Sequence, residues 1–277
     1  MFSAGVAVRD ITPSPGAPLW GYADRASNAT GTLDPLFAKC VAFANEDDVA
    51  ALVTMDLGRV PLEPVCDRIR RRARDKGVQY VFLAATHTHH APVMEAPGAP
   101  YIETIEEQIG TCIEDAVDFM RPVAIGVGRC TIDVAHNRRR VLDDGRCLML
   151  WRNEKRVPTS PRDLEADLIR IDATDGQPMA LLVHYACHPV VMGPENCRYS
   201  ADYPGEMARL VKESTGAECL FLQGACGDIN PYLDKTRSDA DAVEAMRSVG
   251  KTCADSVLGV YPSIQAVEPR SPAVAFS

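Results

Sequence analysis

Continuous apolar runs that end in polar loops are the feature that most limits how this chain can fold. One run lies in "VQYVFLAATHTH" (residues 78–89) and another in "ECLFLQGACGDINPY" (residues 218–232). Runs of this length, without polar alternation, favour strands that are buried on both faces. Segments with helical periodicity alternate with these runs, and two further segments are typical of β-hairpins. The sequence therefore predicts an α/β fold with a mixed β-sheet core, flanking helices and β-hairpins.

Turn residues and hydrophobic periodicity locate the individual elements. Hairpins are predicted over residues 39–58, with an acidic turn at 46–48, and over residues 167–188, with a turn at 174–176. Helices are predicted over residues 67–77, 103–120, 204–216 and 239–258. Additional strands are predicted over residues 5–13, 122–134 and 272–276. The chain shows no internal repeat or linker, so residues 1–277 are expected to form one domain.

Charge and composition exclude several classes of partner. The formal net charge is −9, which disfavours binding to nucleic acid or to anionic membrane surfaces. The one basic run, "DRIRRRARDKG", is predicted to be a helix whose arginines face solvent. No apolar stretch approaches the roughly 20 residues of a membrane span. The N-terminus lacks the basic and apolar regions of a signal peptide, and the ten cysteines follow no regular spacing, so we expect a cytoplasmic protein with reduced thiols.

Three of the six histidines lie within four positions, in "THTHH" at the end of the first apolar run. If the strand continues through them, His87 and His89 point to one face and His90 to the other. Ligands of α/β folds bind at the carboxyl ends of strands, where this pair lies. Two imidazoles there form a platform for a divalent metal or for catalysis.

Two later segments repeat this pattern of an apolar run with polar residues at its end. In "LLVHYACHPVVM" the run ends in His184 and His188, and spacing alone does not choose between them. A catalytic zinc usually takes three protein ligands and a water, so one histidine from each cluster is expected to bind the metal. In "QGACGDINPY" the small residues before Asp228 and Asn230 allow a ligand to approach the backbone closely.

Seven segments in this order resemble the N-terminal catalytic region of the neutral/alkaline (non-lysosomal) ceramidase family. They are "GVAVRDITPSPGAPLWGYADR", "DLG", "ATHTHHAPV", "NRRR", "ACHPVVMG", "YSADYPG" and "GACGDINP". The resemblance implies a zinc-dependent amidohydrolase that cleaves the N-acyl bond of a sphingoid base and releases a fatty acid and an amine. It also implies that His87 and His188 bind the zinc.

The same resemblance implies roles for four further residues. His89 and Arg138 are expected to be catalytic, by holding and polarising the substrate amide. Asp228 and Asn230 are expected to bind the substrate. A zinc-bound water supplies the nucleophile in such enzymes, and a cation or a hydrogen-bond donor stabilises the oxyanion that amide cleavage creates.

The resemblance is incomplete at the C-terminal end. The family's other zinc ligands, a Glu and a Tyr, follow the "GDINP" segment, and no position of this chain matches them. Residues 1–277 are therefore expected to be a truncated form of the catalytic domain. The alternative is that another acid completes the metal site, with Asp56, Asp202 and Asp228 as candidates by their placement. The segment "NPY" also departs from the family, so the substrate is expected to be either a lipid amide or a more soluble, small amide.

Two alternatives to this function remain open. The chain could be a non-catalytic fragment that binds a metal or a partner without turnover, which the missing Glu and Tyr favour. It could instead be a metallohydrolase that acts on another bond. A metallo-β-lactamase-type site would require an Asp after the second histidine of "HTHHAP", and none is present there. The oligomeric state does not follow from the sequence.

Overall fold

A computed structural model of the chain describes residues 2–46, 48–96, 98–238 and 241–270. The strands are β1 (Ser3–Asp10), β2 (Gly31–Thr32), β3 (Phe37–Ala44), β4 (Val49–Met55), β5 (Tyr80–Ala85), β6 (Arg121–Thr131), β7 (Ala135–Asn137), β8 (Arg139–Val141), β9 (Cys147–Met149), β10 (Glu165–Ala173), β11 (Pro178–Tyr185), β12 (Arg198–Tyr199), β13 (Glu218–Gln223) and β14 (Ile229–Pro231). The helices are α1 (Val65–Asp75), α2 (Pro100–Asp118), α3 (Asp202–Thr215) and α4 (Ala242–Val260).

Eight strands form one mixed sheet in the order β13-β11-β10-β6-β1-β3-β4-β5. The pairs at the two edges, β4 with β5 and β11 with β13, are parallel, and the pairs between them are antiparallel. Short two-stranded sheets form from β2 with β12, β7 with β14, and β8 with β9. The predicted α/β class with a mixed sheet, flanking helices and hairpins is confirmed.

The sheet consists of two halves that face each other. Strands β1 and β6 join the halves through only two residue pairs, Ser3 with Pro122 and Ala4 with Arg121. An apolar cluster with members from both halves fills the space between them. Helices α1 and α2 cover the outer face of one half, and α3 and α4 cover that of the other. The core is therefore layered as helix, sheet, sheet and helix.

Both halves have the same order of elements, although the sequence shows no repeat. In each half a strand is followed by a hairpin, a helix and a parallel edge strand. In one half these are β1, the hairpin of β3 and β4, helix α1 and edge strand β5. The other half contains β6, β10, β11, α3 and β13. Loops that follow β5, β11 and β13 carry the three polar clusters of the sequence. Each half therefore contributes loops from the carboxyl ends of its parallel strands, where α/β folds bind ligands.

The predicted elements within the described residues are present, with shifted ends. The strand of the first apolar run, β5, is not buried on both faces as predicted, because it lies at the edge of the sheet and leaves Phe82 45% exposed. The basic helix runs from Val65 to Asp75 and buries Ile69 and Ala73, as its periodicity indicates. Its arginines do not simply face solvent, because two of them form ion pairs with glutamates of α2: Arg68 with Glu106 and Arg72 with Glu114. The final predicted strand, residues 272–276, lies outside the described residues. Within the described ranges, no helix has both the length and the apolar composition needed to cross a bilayer.

Candidate metal centre

The first histidine cluster lies in a loop and not in a strand. Strand β5 ends at Ala85, and His87 has a left-handed backbone with φ of 71°. The His87 and His89 rings nevertheless lie together, with centroids 5.3 Å apart, while His90 is fully buried with Nε2 3.2 Å from the carbonyl oxygen of Gly193. His87 and His89 therefore lie side by side as strand alternation predicted, but they do so in a loop that contains the left-handed His87. Strand periodicity was the wrong reason for this grouping.

The second cluster contributes His188 to the same place. Strand β11 ends at Tyr185, and His188 lies in the loop that follows, with its ring centroid 4.9 Å from that of His87. His184 remains in the strand, where its side chain is 53% exposed and its Nδ1 lies 3.8 Å from Asp167. The structure therefore brings together His87 and His188, the pair that the family resemblance implies.

Backbone carbonyls orient both imidazoles. Nδ1 of His87 lies 2.7 Å from the carbonyl oxygen of Gly58, and Nδ1 of His188 lies 2.6 Å from that of Cys226. Since a carbonyl only accepts hydrogen bonds, each Nδ1 is the protonated nitrogen and each Nε2 carries a lone pair. The two Nε2 atoms face each other at 3.2 Å. Two nitrogens bound tetrahedrally to zinc at about 2.0–2.1 Å lie about 3.3 Å apart, so the pair fits a zinc ion.

Cys226 is the third member of this group. Its Sγ and the donor nitrogens of His87 and His188 all lie within 4.8 Å of one another. No other set of three or more His, Cys, Asp or Glu donors within the described part of the chain meets this distance. Burial raises the pKa of the Cys226 thiol to about 11, so the thiolate requires a nearby cation. Sequence reasoning missed this residue because its cysteines were interpreted as buried structural thiols; its position in the turn after a buried strand was the available signal.

The three aspartates considered as substitute ligands are not members of the group. Asp56 accepts a hydrogen bond from the backbone N–H of Phe37. Asp202 accepts hydrogen bonds from the backbone N–H groups of Val191, Met192 and Tyr203. Asp228 accepts a hydrogen bond from Nδ2 of Asn137. None of the three carboxylates belongs to the group of His87, His188 and Cys226, and each makes a local structural contact instead.

His89 lies beside the metal group and is enclosed by aromatic rings. Its ring is 5.0 Å from that of Trp20 and 4.9 Å from that of Tyr22. Both ring nitrogens are buried and lack a hydrogen-bond partner among the described residues. Burial and the neighbouring imidazoles lower the pKa of His89 to about 2, so its ring is neutral at pH 7. A neutral imidazole has one donor and one acceptor to offer to a bound substrate.

Arg138 is held next to the same group through a buried chain of polar side chains. Its Nη1 donates to Oδ1 of Asn230 at 3.3 Å, and Nδ2 of Asn230 donates to Asp234 at 2.7 Å. The Arg138 guanidinium lies 4.9 Å from the ring centroid of Trp151, and its buried Nε has no partner among the described residues. Arg138 therefore keeps one donor free beside the imidazoles.

The two residues predicted to bind substrate occupy different environments. Asn230 is fully buried, and both ends of its amide contact neighbouring side chains, Arg138 and Asp234. The side chain of Asp228 is 33% exposed and lies near Asn137 and Arg139. Their role in substrate binding stays a prediction, and the contacts of Asn230 give it a position from which it orients Arg138.

Burial also keeps the two candidate metal ligands neutral. Burial lowers the pKa of His87. Burial also lowers the pKa of His188 to about 4, with a smaller contribution from the repulsion that a protonated His87 would exert. Both rings are therefore unprotonated at Nε2 at neutral pH, which is the state that binds a metal. The cationic Arg138 contributes a smaller part of the shift at His188.

Comparison with solved structures finds the same fold. No family model matches the chain. Neutral ceramidase from Pseudomonas aeruginosa superimposes on 94% of this chain with a TM-score of 0.78 at 18% sequence identity. A ceramidase complexed with C2 gives the same TM-score, identity and coverage of this chain. The chain spans 45% and 44% of the lengths of those two proteins. The resemblance that its motifs carry is thus confirmed in the fold, which this chain shares with neutral ceramidase.

Proposed function

We propose that this chain is a zinc-dependent amidohydrolase that cleaves an N-acyl, ceramide-like amide. The observation that carries the proposal is the pair of Nε2 lone pairs of His87 and His188, 3.2 Å apart and oriented by backbone carbonyls. The shared fold of neutral ceramidase supports the same function. Cys226 is the third donor, and three protein ligands leave a position for water, as in catalytic zinc sites.

In the proposed reaction, water adds to the acyl carbon, the carbon–nitrogen bond breaks, and the leaving nitrogen takes a proton to give an amine and a carboxylic acid. Zinc would supply Lewis-acid chemistry and a water whose pKa is lowered to about 7. Arg138, through its free Nε–H, would stabilise negative charge on the acyl oxygen. His89, neutral and without a partner, would hold the substrate amide and move a proton to the leaving nitrogen.

Metal analysis of the purified chain tests the site. We expect close to one zinc per chain, lost in His87→Ala and His188→Ala and retained in His184→Ala, a matched control on the strand before His188. Cobalt substitution should give a thiolate-to-cobalt charge-transfer absorption that disappears in Cys226→Ala. Equal zinc in the His188→Ala and His184→Ala proteins would rule out the two-histidine site.

Assays on N-acyl amides of short and long acyl chains test the reaction. We expect release of fatty acid and amine in equal amounts, slowed by His89→Ala or Arg138→Ala at unchanged zinc content. Losing either donor should cost on the order of 100-fold in rate, as removal of an oxyanion donor usually does. A folded, zinc-loaded chain without turnover on any of these amides would support the metal-binding alternative and contradict the enzyme.

A further inference from the structure

Apolar side chains are exposed on the hairpin formed by β8 and β9, which we call the apolar hairpin (residues 139–156). Val141 is 69% exposed and Leu148 is 50% exposed, and Met149 and Trp151 are exposed as well. Four such side chains so close together are unusual for surface that stays in water, and patches of this kind mark interaction sites.

Both faces of the hairpin carry exposed apolar groups. Val141 pairs with Cys147 and Arg139 pairs with Met149, so these residues share one face, whereas Leu148 pairs with Arg140 on the other. All six residues of the two strands are exposed. A protein partner docked on one face would leave the other in water, but a lipid interface surrounds an inserted hairpin on both sides.

The charge of the hairpin differs in sign from that of the chain. Residues 139–156 contain six Arg or Lys and three Asp or Glu, a net charge of +3, in a chain of net charge −9. Within the described part of the chain, neither Arg140 nor Lys155 makes an ion pair. The overall charge predicts no affinity for anionic surfaces, but this local charge is complementary to one.

The base of the hairpin is fixed to the candidate site. The backbone N–H of Leu150 donates to the carbonyl oxygen of Arg138 at 2.7 Å. The Trp151 ring lies under the Arg138 guanidinium and also 3.9 Å from Nζ of Lys235. The Leu150 carbonyl oxygen lies 2.8 Å from Nε2 of His136. A surface bound by the hairpin would thus lie next to the residues proposed to hold the amide.

We propose that the apolar hairpin inserts into the interface of an anionic lipid bilayer and so places the candidate site against the membrane. Val141, Leu148 and Met149 would enter the boundary between headgroups and acyl chains, and the basic residues would contact anionic headgroups. For the substrate class, this inference rests on the proposed function, because a lipid amide is held in a bilayer and must reach the site from there.

Sedimentation with vesicles tests the inference on the full chain. We expect binding to phosphatidylcholine vesicles that contain phosphatidylserine, weaker binding to phosphatidylcholine alone, and weakening by salt. The triple variant V141S/L148S/M149S should bind at least tenfold more weakly. The matched control is Val127→Ser, which removes a 77% exposed valine on β6. It should bind like the parent, and circular dichroism should show both variants folded.

Charge variants separate the two contributions. Arg140→Gln with Lys155→Gln should weaken binding to the anionic vesicles and leave binding to phosphatidylcholine unchanged. A parent chain that does not sediment with anionic vesicles, or a triple variant that sediments as well as the parent, would overturn the inference. So would a parent dimer that the triple variant converts to monomer, since the hairpin would then bind a second copy.

The vesicle assay requires neither metal nor substrate, so the two proposals fail separately. Vesicle binding without any amide hydrolysis would contradict the proposed function and leave the docking surface in place. Hydrolysis of a soluble N-acyl amide by a chain that does not bind vesicles would contradict the docking surface alone.

Discussion

Among single residues, Gly58 has a double role at the candidate metal centre. Its carbonyl oxygen is the acceptor that orients His87, and its α-carbon lies against the Trp20 ring, where an added Cβ would overlap the indole. Trp20 in turn packs 4.9 Å from the His87 ring. A side chain at position 58 would therefore displace both the ring and the carbonyl that define the metal group.

We expect Gly58→Ala to weaken zinc binding by about 10–100-fold, the usual effect of disturbing the partner of a metal-bound histidine. Competition with a zinc chelator of known affinity measures this. Gly227→Ala is the matched control: it lies in the loop next to Cys226, and nothing lies within 4 Å of its added Cβ. Equal affinities in the two variants would show that the Gly58 carbonyl does not orient the ligand.

Asp34 gives a pH dependence of stability with a definite sign. Its carboxylate accepts hydrogen bonds from Oγ of Ser200 and the N–H of Ala201, but burial raises its pKa to about 6. In the unfolded chain the pKa is about 3.9. The folded state therefore holds the proton more tightly, and this contribution is greatest at low pH and is lost as the pH rises from about 4 to about 6.

Relative to Asp34→Asn, the parent should lose about 2 kcal/mol of its free energy of unfolding between pH 4 and pH 7. One pKa unit corresponds to about 1.4 kcal/mol. Asparagine can accept from Ala201 and donate to Ser200, so it retains both contacts without the charge. Urea titrations across this range measure the difference. Parallel curves for the two proteins would contradict a raised pKa at Asp34.

A site residue could be identified from the sequence when its residue type is scarce in this chain. Histidines are scarce here, so three at the end of an apolar run indicate a function. Cysteines are common and mostly buried in this chain, so Cys226 had no distinguishing mark until its Sγ lay beside two imidazoles. The choice of His188 over His184 depended on where β11 ends, which spacing does not define.

At the scale of the elements, close packing of α2 on β1 depends on Gly5. An added Cβ there would overlap the carbonyl oxygen of Ala116 in the last turn of the helix, and backbone atoms cannot rotate away. We expect Gly5→Ala to destabilise the chain by about 1–3 kcal/mol, the usual cost of overpacking a core. Denaturant unfolding measures it.

The control for that substitution is Gly259→Ala in α4, where nothing lies within 4 Å of an added Cβ. Alanine in an open helical position should stabilise by about 0.5–1 kcal/mol. Similar losses in both variants would mean that the approach of α2 to β1 is not as close as the structure has it.

Helices and strands could be predicted from the sequence wherever one face of a segment is buried. The residues at which they begin and end could not. The basic helix has the predicted periodicity but begins at Val65, before the run of charges. Helix α3 begins at Asp202, two residues before the Pro204 that was expected to open it, because a proline is tolerated throughout a first turn whose N–H groups have no helical acceptor. The left-handed backbone of His87 was not predicted, because positive φ is uncommon for residues other than glycine and residue type alone does not identify which histidine adopts it.

For the whole molecule, the candidate metal centre contains residues from both halves of the sheet. His87 follows β5 in one half, whereas His188 and Cys226 follow β11 and β13 in the other. Between these halves the sheet itself provides only the two residue pairs of β1 with β6 and the apolar cluster. A bound metal would add a link across this boundary, beside hydrogen bonds such as those of β2 with β12 and of Lys39 with the carbonyl oxygen of Cys219, and stability should therefore depend on zinc concentration.

Zinc at about 100 times its dissociation constant should add about 2.7 kcal/mol to the free energy of unfolding. For a chain of this size, that raises Tm by about 5–10 °C. The shift should be reversed by a chelator, absent in His87→Ala and His188→Ala, and retained in His184→Ala, whose histidine lies outside the group. Thermal unfolding with and without zinc measures it. A shift of equal size in His188→Ala would mean that zinc binds elsewhere, and the two halves would then be held together by their apolar contacts and hydrogen bonds without a bridging metal.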